Sequence, residues 1–117
     1  MPVALLHLDL HPGNVMLTAD GPVVIDWSNA AAGPGPADVA EAWLLLAAAG
    51  VPGSALDRAV AAVGRSLLVR AFLAATDRRA AARYLPDVLE RRRRDPHMAP
   101  AELAAMARLV DREARRR

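Results

Sequence analysis

The chain of 117 residues is short enough for a single domain and has a formal net charge of +2, but its charges are unevenly distributed. Residues 1–53 contain five acids and no basic residue, a charge of −5, whereas residues 54–117 contain all 15 arginines against eight acids, a charge of +7. The absence of cysteine excludes a disulfide framework, and we expect a cytoplasmic protein without a signal peptide or a membrane helix.

The chain begins with residues that favour β-structure. Residues 3–10 are typical of a strand that leads into a loop, and Pro12 and Gly13 turn the chain after it. Two further apolar runs, residues 15–17 and 23–25, are rich in β-formers and flank an Asp-Gly turn signal. We therefore predict a β-hairpin directly after the loop.

Two oxygen-bearing side chains, Asn14 and Asp26, lie at the ends of the predicted hairpin. Each is six residues from Asp20 in the turn, so folding of the hairpin is expected to bring them nearly opposite each other. An amide oxygen and a carboxylate placed in this way can share one hard cation, and Mg²⁺ accepts such ligands while keeping waters that phosphate oxygens can replace. The spacing predicts a magnesium site.

A third polar side chain, Asp9, lies on the loop before the hairpin. A carboxylate close to a magnesium site is well placed to accept a proton from a substrate hydroxyl. An aspartate, an asparagine five positions later and a second aspartate before a bulky residue also follow the order of the protein-kinase signature motifs.

Three segments together carry a resemblance to a known family. They are HLDLHPGN at residues 7–14, VIDW at residues 24–27 and GPGPAD at residues 33–38. In this order, with a hairpin between the first two, they resemble the catalytic half of the aminoglycoside phosphotransferase family, relatives of choline kinases with a protein-kinase-like fold. The resemblance is strong over residues 5–41 and loose over the helical tail.

The resemblance implies a role for each polar residue of these segments. Asp9 would be the catalytic base for a small-molecule hydroxyl acceptor, with His7 bracing its loop. Asn14 and Asp26 would hold Mg²⁺ on the phosphates of ATP or another nucleoside triphosphate. Asp38 would tie the next helix to the catalytic loop through hydrogen bonds. The residues expected to give structural support are Asp38, His11 and Gly13.

The segments depart from the family pattern at two positions. Leu8 stands where such families often carry a small residue or an arginine, and Pro34 stands where Gly-Asp-Pro is common. The loop after Trp27 is therefore expected to differ in shape.

The rest of the chain has helical periodicity. Residues 29–37 are predicted to be a connector, and Asp38 to cap a helix that ends near residue 49, with Glu41 completing a capping box. Ser54 and Asp57 are predicted to start a second helix by the same device. An apolar stripe at helical spacing extends this helix to about residue 76, and its members are Leu56, Val60, Val63, Leu67 and Ala71.

Two more helical stretches follow. One begins near Asp77, breaks before Pro86 and resumes to residue 94, and the last begins at Pro100. The arginine runs at residues 91–94 and 115–117 are predicted to be solvated surface and not a nucleic-acid site, because no aromatic residues are interleaved with them.

Together the elements predict an α+β, mostly helical fold, the C-terminal lobe of a protein-kinase-like fold with a small β-hairpin and about four helices. We expect one domain over residues 1–117, with the catalytic and metal-binding segment in residues 1–36 and a helical subdomain in residues 37–117. The chain contains no lysine, so we expect the N-terminal nucleotide lobe to be missing and the isolated chain to be inactive. Trp27 and Trp43 are predicted to anchor the core.

The acidic first half of the chain has two interpretations. Five acids without an internal cation suggest that their counter-charges come from a metal, a cationic substrate or a missing lobe. Alternatively, three of the five are turn or cap residues.

Two other functions remain open. A metal-dependent hydrolase would use His7, Asp9 and His11, which share one face if they alternate along a strand and which make a plausible zinc set. The Pro-Gly pair that follows His11 would break such a strand. The other alternative is a non-catalytic kinase-like remnant or binding module.

Overall fold

The structure is a computed structural model that describes residues 3–48 and 54–116. The described part contains four strands and five α-helices. The strands are β1 (Val3–Leu6), β2 (Val15–Thr18), β3 (Gly21–Val24) and β4 (Ala31–Pro34), and a 3₁₀ turn (Pro12–Asn14) precedes β2. The helices are α1 (Gly35–Ala48), α2 (Ala55–Ala74), α3 (Arg78–Ala82), α4 (Leu85–Arg93) and α5 (Pro100–Arg115). The predicted α+β, mostly helical fold is confirmed.

The strands form two separate antiparallel pairs. β1 pairs with β4, with Leu6 opposite Ala31 and Val3 opposite Pro34. The interpretation of residues 29–37 as a connector was therefore wrong: four of them form a strand, although their composition does not favour one. Gly33 permits the close approach, because a Cβ atom there would lie 2.7 Å from Cδ1 of Leu6.

The predicted hairpin is confirmed as β2 and β3, but its register differs by one residue from the expectation. Thr18 pairs with Gly21, so the turn is centred between residues 19 and 20 and not on Asp20. Gly21 has a φ of 111°, a conformation that glycine adopts without strain. As a result Asn14 faces Ile25, whose N–H donates to the Asn14 carbonyl oxygen at 2.8 Å, and not Asp26.

The start of α1 also corrects the sequence-based expectation. The helix begins at Gly35, with Pro36 in the first turn, where a missing N–H is tolerated. Asp38 therefore lies inside the first turn and is not the N-cap, and Glu41 is not its capping-box partner. Both carboxylates instead bond to other parts of the chain.

The starts of α2 and α5 and the break between α3 and α4 agree with the sequence-based predictions, whereas the predicted end of α1 near residue 49 lies outside the described residues. The Ser54 hydroxyl accepts from Asp57 N–H at 3.1 Å and the Asp57 carboxylate accepts from Ser54 N–H at 3.1 Å, which is the predicted capping box. The third stretch is broken before Pro86 into α3 and α4, and α5 begins at Pro100.

The core lies around α1, which contacts α2, α3, α4, α5 and β1. Trp43 is 2% exposed and anchors this core, as predicted. Trp27 is 46% exposed and does not, so that prediction was wrong. The largest apolar side chains in the core besides Trp43 are Leu44, Leu73, Leu85, Leu89, Met106 and Leu109.

The apolar stripe of α2 does not face this core. Leu56, Val60, Val63 and Leu67 are 61% to 73% exposed. The helix packs through Leu73 and, less completely, through Val69 and Phe72. Within residues 3–48 and 54–116, no helix has the length and apolarity of a transmembrane segment.

Candidate active site

His7 connects the two halves of the predicted site. It is 2% exposed, and its Nδ1 accepts from Asp9 N–H at 3.1 Å. Its Nε2 lies 2.8 Å from the carbonyl oxygen of Ile25, to which the tautomer with a proton on Nε2 donates. The ring of Trp27 packs edge-on against His7, with 4.7 Å between centroids. One imidazole thus holds the loop of Asp9 against the end of the strand that leads to Asp26.

Leu8 has a backbone conformation that is costly for a residue with a side chain. Its φ is 67°, in the left-handed region, which costs roughly 1–2 kcal/mol for an L-residue. The Asp38 carboxylate accepts from the N–H groups of both His7 and Leu8, each at 2.9 Å. An Nη of Arg92 donates to the Leu8 carbonyl oxygen at 3.2 Å. Charged groups from α1 and α4 therefore hold this residue in place.

Asp9 follows this constrained residue and is partly accessible, with 26% of its side chain exposed. Nδ2 of Asn14 donates to the Asp9 carbonyl oxygen at 2.8 Å and lies 3.4 Å from its Oδ2. Nε2 of His11 lies 3.9 Å from Oδ1. The carboxylate is thus oriented by its neighbours and still open to a small molecule.

His11 and Gly13 shape the turn after Asp9. Nδ1 of His11 accepts from Gly13 N–H at 3.1 Å. A Cβ atom on Gly13 would lie 2.9 Å from Cε1 of this ring, so only glycine allows the imidazole to lie against the backbone here. The same turn places Asn14 N–H on the carbonyl oxygen of His11 at 2.9 Å and buries the Asn14 side chain.

Asp26 is exposed and lies next to the residue that pairs with Asn14. Its φ is 59°, the second non-glycine residue with a positive φ in the described chain. Its Oδ1 accepts from the Ser28 hydroxyl at 2.6 Å, and this bond, with a backbone bond from Ser28, holds the pKa of Asp26 below its usual range. Asp26 is therefore ionised at neutral pH.

The site depends on an ion pair that the sequence interpretation missed. Glu41 is 1% exposed and forms salt bridges with Arg91 and Arg92, and Nε of Arg92 donates to Oε1 at 2.6 Å. The prediction that the arginine run is solvated surface was wrong for Arg92, whose side chain is 14% exposed. The counter-charge of Glu41 comes from the same chain, so the expectation of an external cation was wrong for this acid. The sequence did contain one indication of this ion pair, because Glu41 is the single charged residue in the apolar run at residues 39–49, and a buried carboxylate needs a partner.

The donor chemistry suits magnesium better than zinc. Asn14 offers its amide oxygen, since Nδ2 of the same group donates to Asp9, and Asp26 offers an ionised carboxylate. Mg²⁺ needs only one or two such oxygen ligands besides water and phosphate. The proposed zinc set is not supported, because both ring nitrogens of His7 are engaged and the described residues contain no group of three or more His, Cys, Asp or Glu that could hold a metal.

The comparison with family models gave one informative match. A model described as "Phosphotransferase enzyme family" matches residues 1–79, which is more than half of the chain. The match includes every residue of the candidate site up to Glu41 and extends through α2. No curated protein and no solved structure matched the chain.

Proposed function

This chain belongs to the phosphotransferase enzyme family, and from that premise we propose that it transfers a phosphoryl group from ATP, or another nucleoside triphosphate, to a hydroxyl of a small molecule. The observation that carries the proposal is the connection between Asp9 and Asn14. Nδ2 of Asn14 donates to the backbone carbonyl oxygen of Asp9 and lies 3.4 Å from Oδ2 of its partly exposed carboxylate, so the amide oxygen of Asn14 is left for a cation. Asp26 lies one residue beyond the strand partner of Asn14.

Asp9 is the proposed base. Its carboxylate accepts the proton of the acceptor hydroxyl as the hydroxyl oxygen bonds to phosphorus and the nucleoside diphosphate leaves. His7 and Asp38 act as positioning residues, because both bond to the backbone of the loop that carries Asp9. Phosphoryl transfer depends mainly on such positioning and on charge stabilisation.

Asn14 and Asp26 are the proposed magnesium ligands. When bound, Mg²⁺ neutralises charge on the nucleotide phosphates. The exposure of Asp26 favours this role, and its bond from the Ser28 hydroxyl favours the ionised form of the carboxylate. Asn14 is buried and fixed by its bonds to Asp9, so its oxygen needs little ordering when a cation binds.

The 117 residues are proposed to act as the C-terminal half of the enzyme, with residues 1–36 forming its catalytic segment. Kinase-like catalysis also uses a lysine on the phosphates, and the sequence contains none. We propose that a nucleotide lobe supplies this lysine and that the chain alone transfers no phosphate at a useful rate. The nucleotide cofactor and the lack of cysteine favour a cytoplasmic location.

The test is a metal titration of ¹⁵N-labelled chain in the presence of ATP, with Mn²⁺ as a paramagnetic substitute for Mg²⁺. We expect Mn²⁺ to broaden the amide signals around Asn14 and Asp26 first. Asp26→Asn should raise the Mn²⁺ midpoint most, because it removes the anionic ligand, and Asn14→Ala should raise it less. Asp20→Asn, which removes an exposed carboxylate in the hairpin turn, is the matched control and should leave the midpoint unchanged.

Asp9→Asn separates the base from the ligands. It should leave the Mn²⁺ midpoint near normal, and once a nucleotide lobe is supplied it should lower turnover by about 10² to 10⁴. If Asp9→Asn shifted the midpoint most while Asp26→Asn had no effect, the assignment of base and ligands would be wrong.

A further inference from the structure

An apolar groove lies beside the catalytic loop. Its first part is a cavity of about 420 Å³ between the loop, the hairpin, α1 and α2. The walls are almost entirely apolar and include Leu10, Pro12, Val15, Leu46, Leu68 and Phe72. Cavities of this size and lining are typical of small-molecule sites.

The groove continues into a second cavity of about 460 Å³ along α1 and α2. The two cavities share residues of the loop and both helices, including His11, Leu46 and Leu68. Arg65 and Glu102, both absent from the lining of the first cavity, line the second. The groove is therefore mainly apolar in both parts, and its second part adds one arginine and one glutamate.

The groove adjoins the proposed base. His11 lines both cavities, and its Nε2 lies 3.9 Å from Oδ1 of Asp9. Leu10, the residue after Asp9, lines the first cavity. A molecule in the groove thus lies one side chain away from the carboxylate.

We propose that this groove binds the body of the acceptor, and that the acceptor is an alcohol with an apolar body and not a polyamine sugar. This inference rests on the proposed function, because it assigns the hydroxyl to Asp9. An ammonium group against an apolar wall needs an anionic partner, since burial of an unpaired charge is costly. The lining offers Glu102 alone, and Arg65 lines the same cavity. Several ammonium groups would therefore lack partners, whereas an apolar ring system would not need any.

The test uses binding alone, without metal or nucleotide. ¹⁵N-labelled chain is titrated with 4-tert-butylcyclohexanol as the apolar alcohol and with kanamycin as the polyamine sugar. We expect the cyclohexanol to shift the amide signals of Leu10, Leu46 and Phe72, and kanamycin to leave them in place.

Two variants on α2 distinguish the groove from general apolar surface. Leu68→Arg places a charge in the groove and should weaken cyclohexanol binding about tenfold, the size expected when the ligand loses its contact with one leucine side chain. Leu56→Arg is the matched control, because Leu56 is 73% exposed on the same helix and does not line the groove, and it should leave binding unchanged.

Three results would overturn the inference. They are the absence of signal shifts with the cyclohexanol, equal weakening by both variants, and kanamycin shifting the groove signals at lower concentration. A concentration-dependent dimer that Leu68→Arg abolishes, without alcohol binding, would instead assign the groove to a second copy. None of these results changes the outcome of the Mn²⁺ titration. An error in the proposed acceptor class can therefore be distinguished from an error in the proposed phosphoryl transfer.

Discussion

The neighbouring helices α1 and α2 use their apolar residues in opposite ways. α1 has 14 residues and buries six of them: Ala40, Glu41, Ala42, Trp43, Leu44 and Ala48. α2 has 20 residues, and only Leu73 among them is buried. The helix with more residues thus contributes less to the core.

The difference shows what helical periodicity can and cannot establish. The stripe that predicted α2 is regular, yet its members from Leu56 to Leu67 are mostly exposed. α1 is surrounded by the other four helices and β1, so several of its faces are covered. Periodicity indicates that a helix forms, whereas burial of a face depends on which neighbours are present.

The prediction with the largest expected effect compares the same substitution, leucine to alanine, in the two helices. Leu44→Ala in α1 should lower the free energy of unfolding by about 3–5 kcal/mol, because Leu44 is fully buried and its removal leaves a cavity. Leu56→Ala in α2 should change it by no more than about 0.5 kcal/mol. Urea denaturation followed by circular dichroism measures both. A similar loss at the two positions would mean that α2 covers its stripe in solution.

The second prediction concerns the buried carboxylate of α1. Glu41→Ala leaves Arg92 with 14% exposure and without its main partner, so we expect a loss of about 3 kcal/mol in the free energy of unfolding. Glu90→Ala is the matched control on α4, because Glu90 is 64% exposed and lies 4.0 Å from Arg93, and it should cost less than about 1 kcal/mol. If the two variants unfolded at the same urea concentration, the ion pair would not hold α4 to α1.

Glu41 also shows why the sequence predicted some parts of the fold and not others. The capping box joins Ser54 and Asp57, which are three positions apart, so local chemistry determines it. Glu41 and Arg92 are 51 positions apart, and their meeting depends on how α1 and α4 pack. The strand at residues 31–34 was missed for the same reason, since its pairing with β1 and not its composition makes it a strand.

The proximity of the motif residues could be expected from the sequence, because they lie within one loop and one hairpin, whereas their roles in the candidate site stay a prediction. The structure places Asn14 close to Asp9 and to the end of the strand before Asp26, as their spacing in the sequence indicates. The register was wrong by one residue, since sequence spacing does not determine where a hairpin turn is centred. The support from Arg92 could not be predicted, because it comes from the far helical part.

The smallest expected effect concerns Leu8. The carboxylate of Asp38 in α1 holds the left-handed backbone of this residue in place. Leu8→Gly and Leu8→Ala both remove the side chain beyond Cβ, so they differ mainly in backbone preference. With a φ of 67°, glycine should be more stable than alanine here by about 1 kcal/mol. Leu5 is the control, because it is an exposed strand residue without a positive φ. There the order should reverse, with alanine favoured over glycine by about 0.5–1 kcal/mol.

Urea denaturation of the four variants at Leu8 and Leu5 gives both differences directly. If alanine were favoured at both positions, the left-handed conformation would not be maintained in solution. The bonds from Asp38 and Arg92 would then fail to constrain the residue before the proposed base. If glycine is favoured at Leu8 alone, the charged groups of α1 and α4 sustain a strained backbone there, and the tightly packed helix, unlike α2, contributes to the geometry of the site.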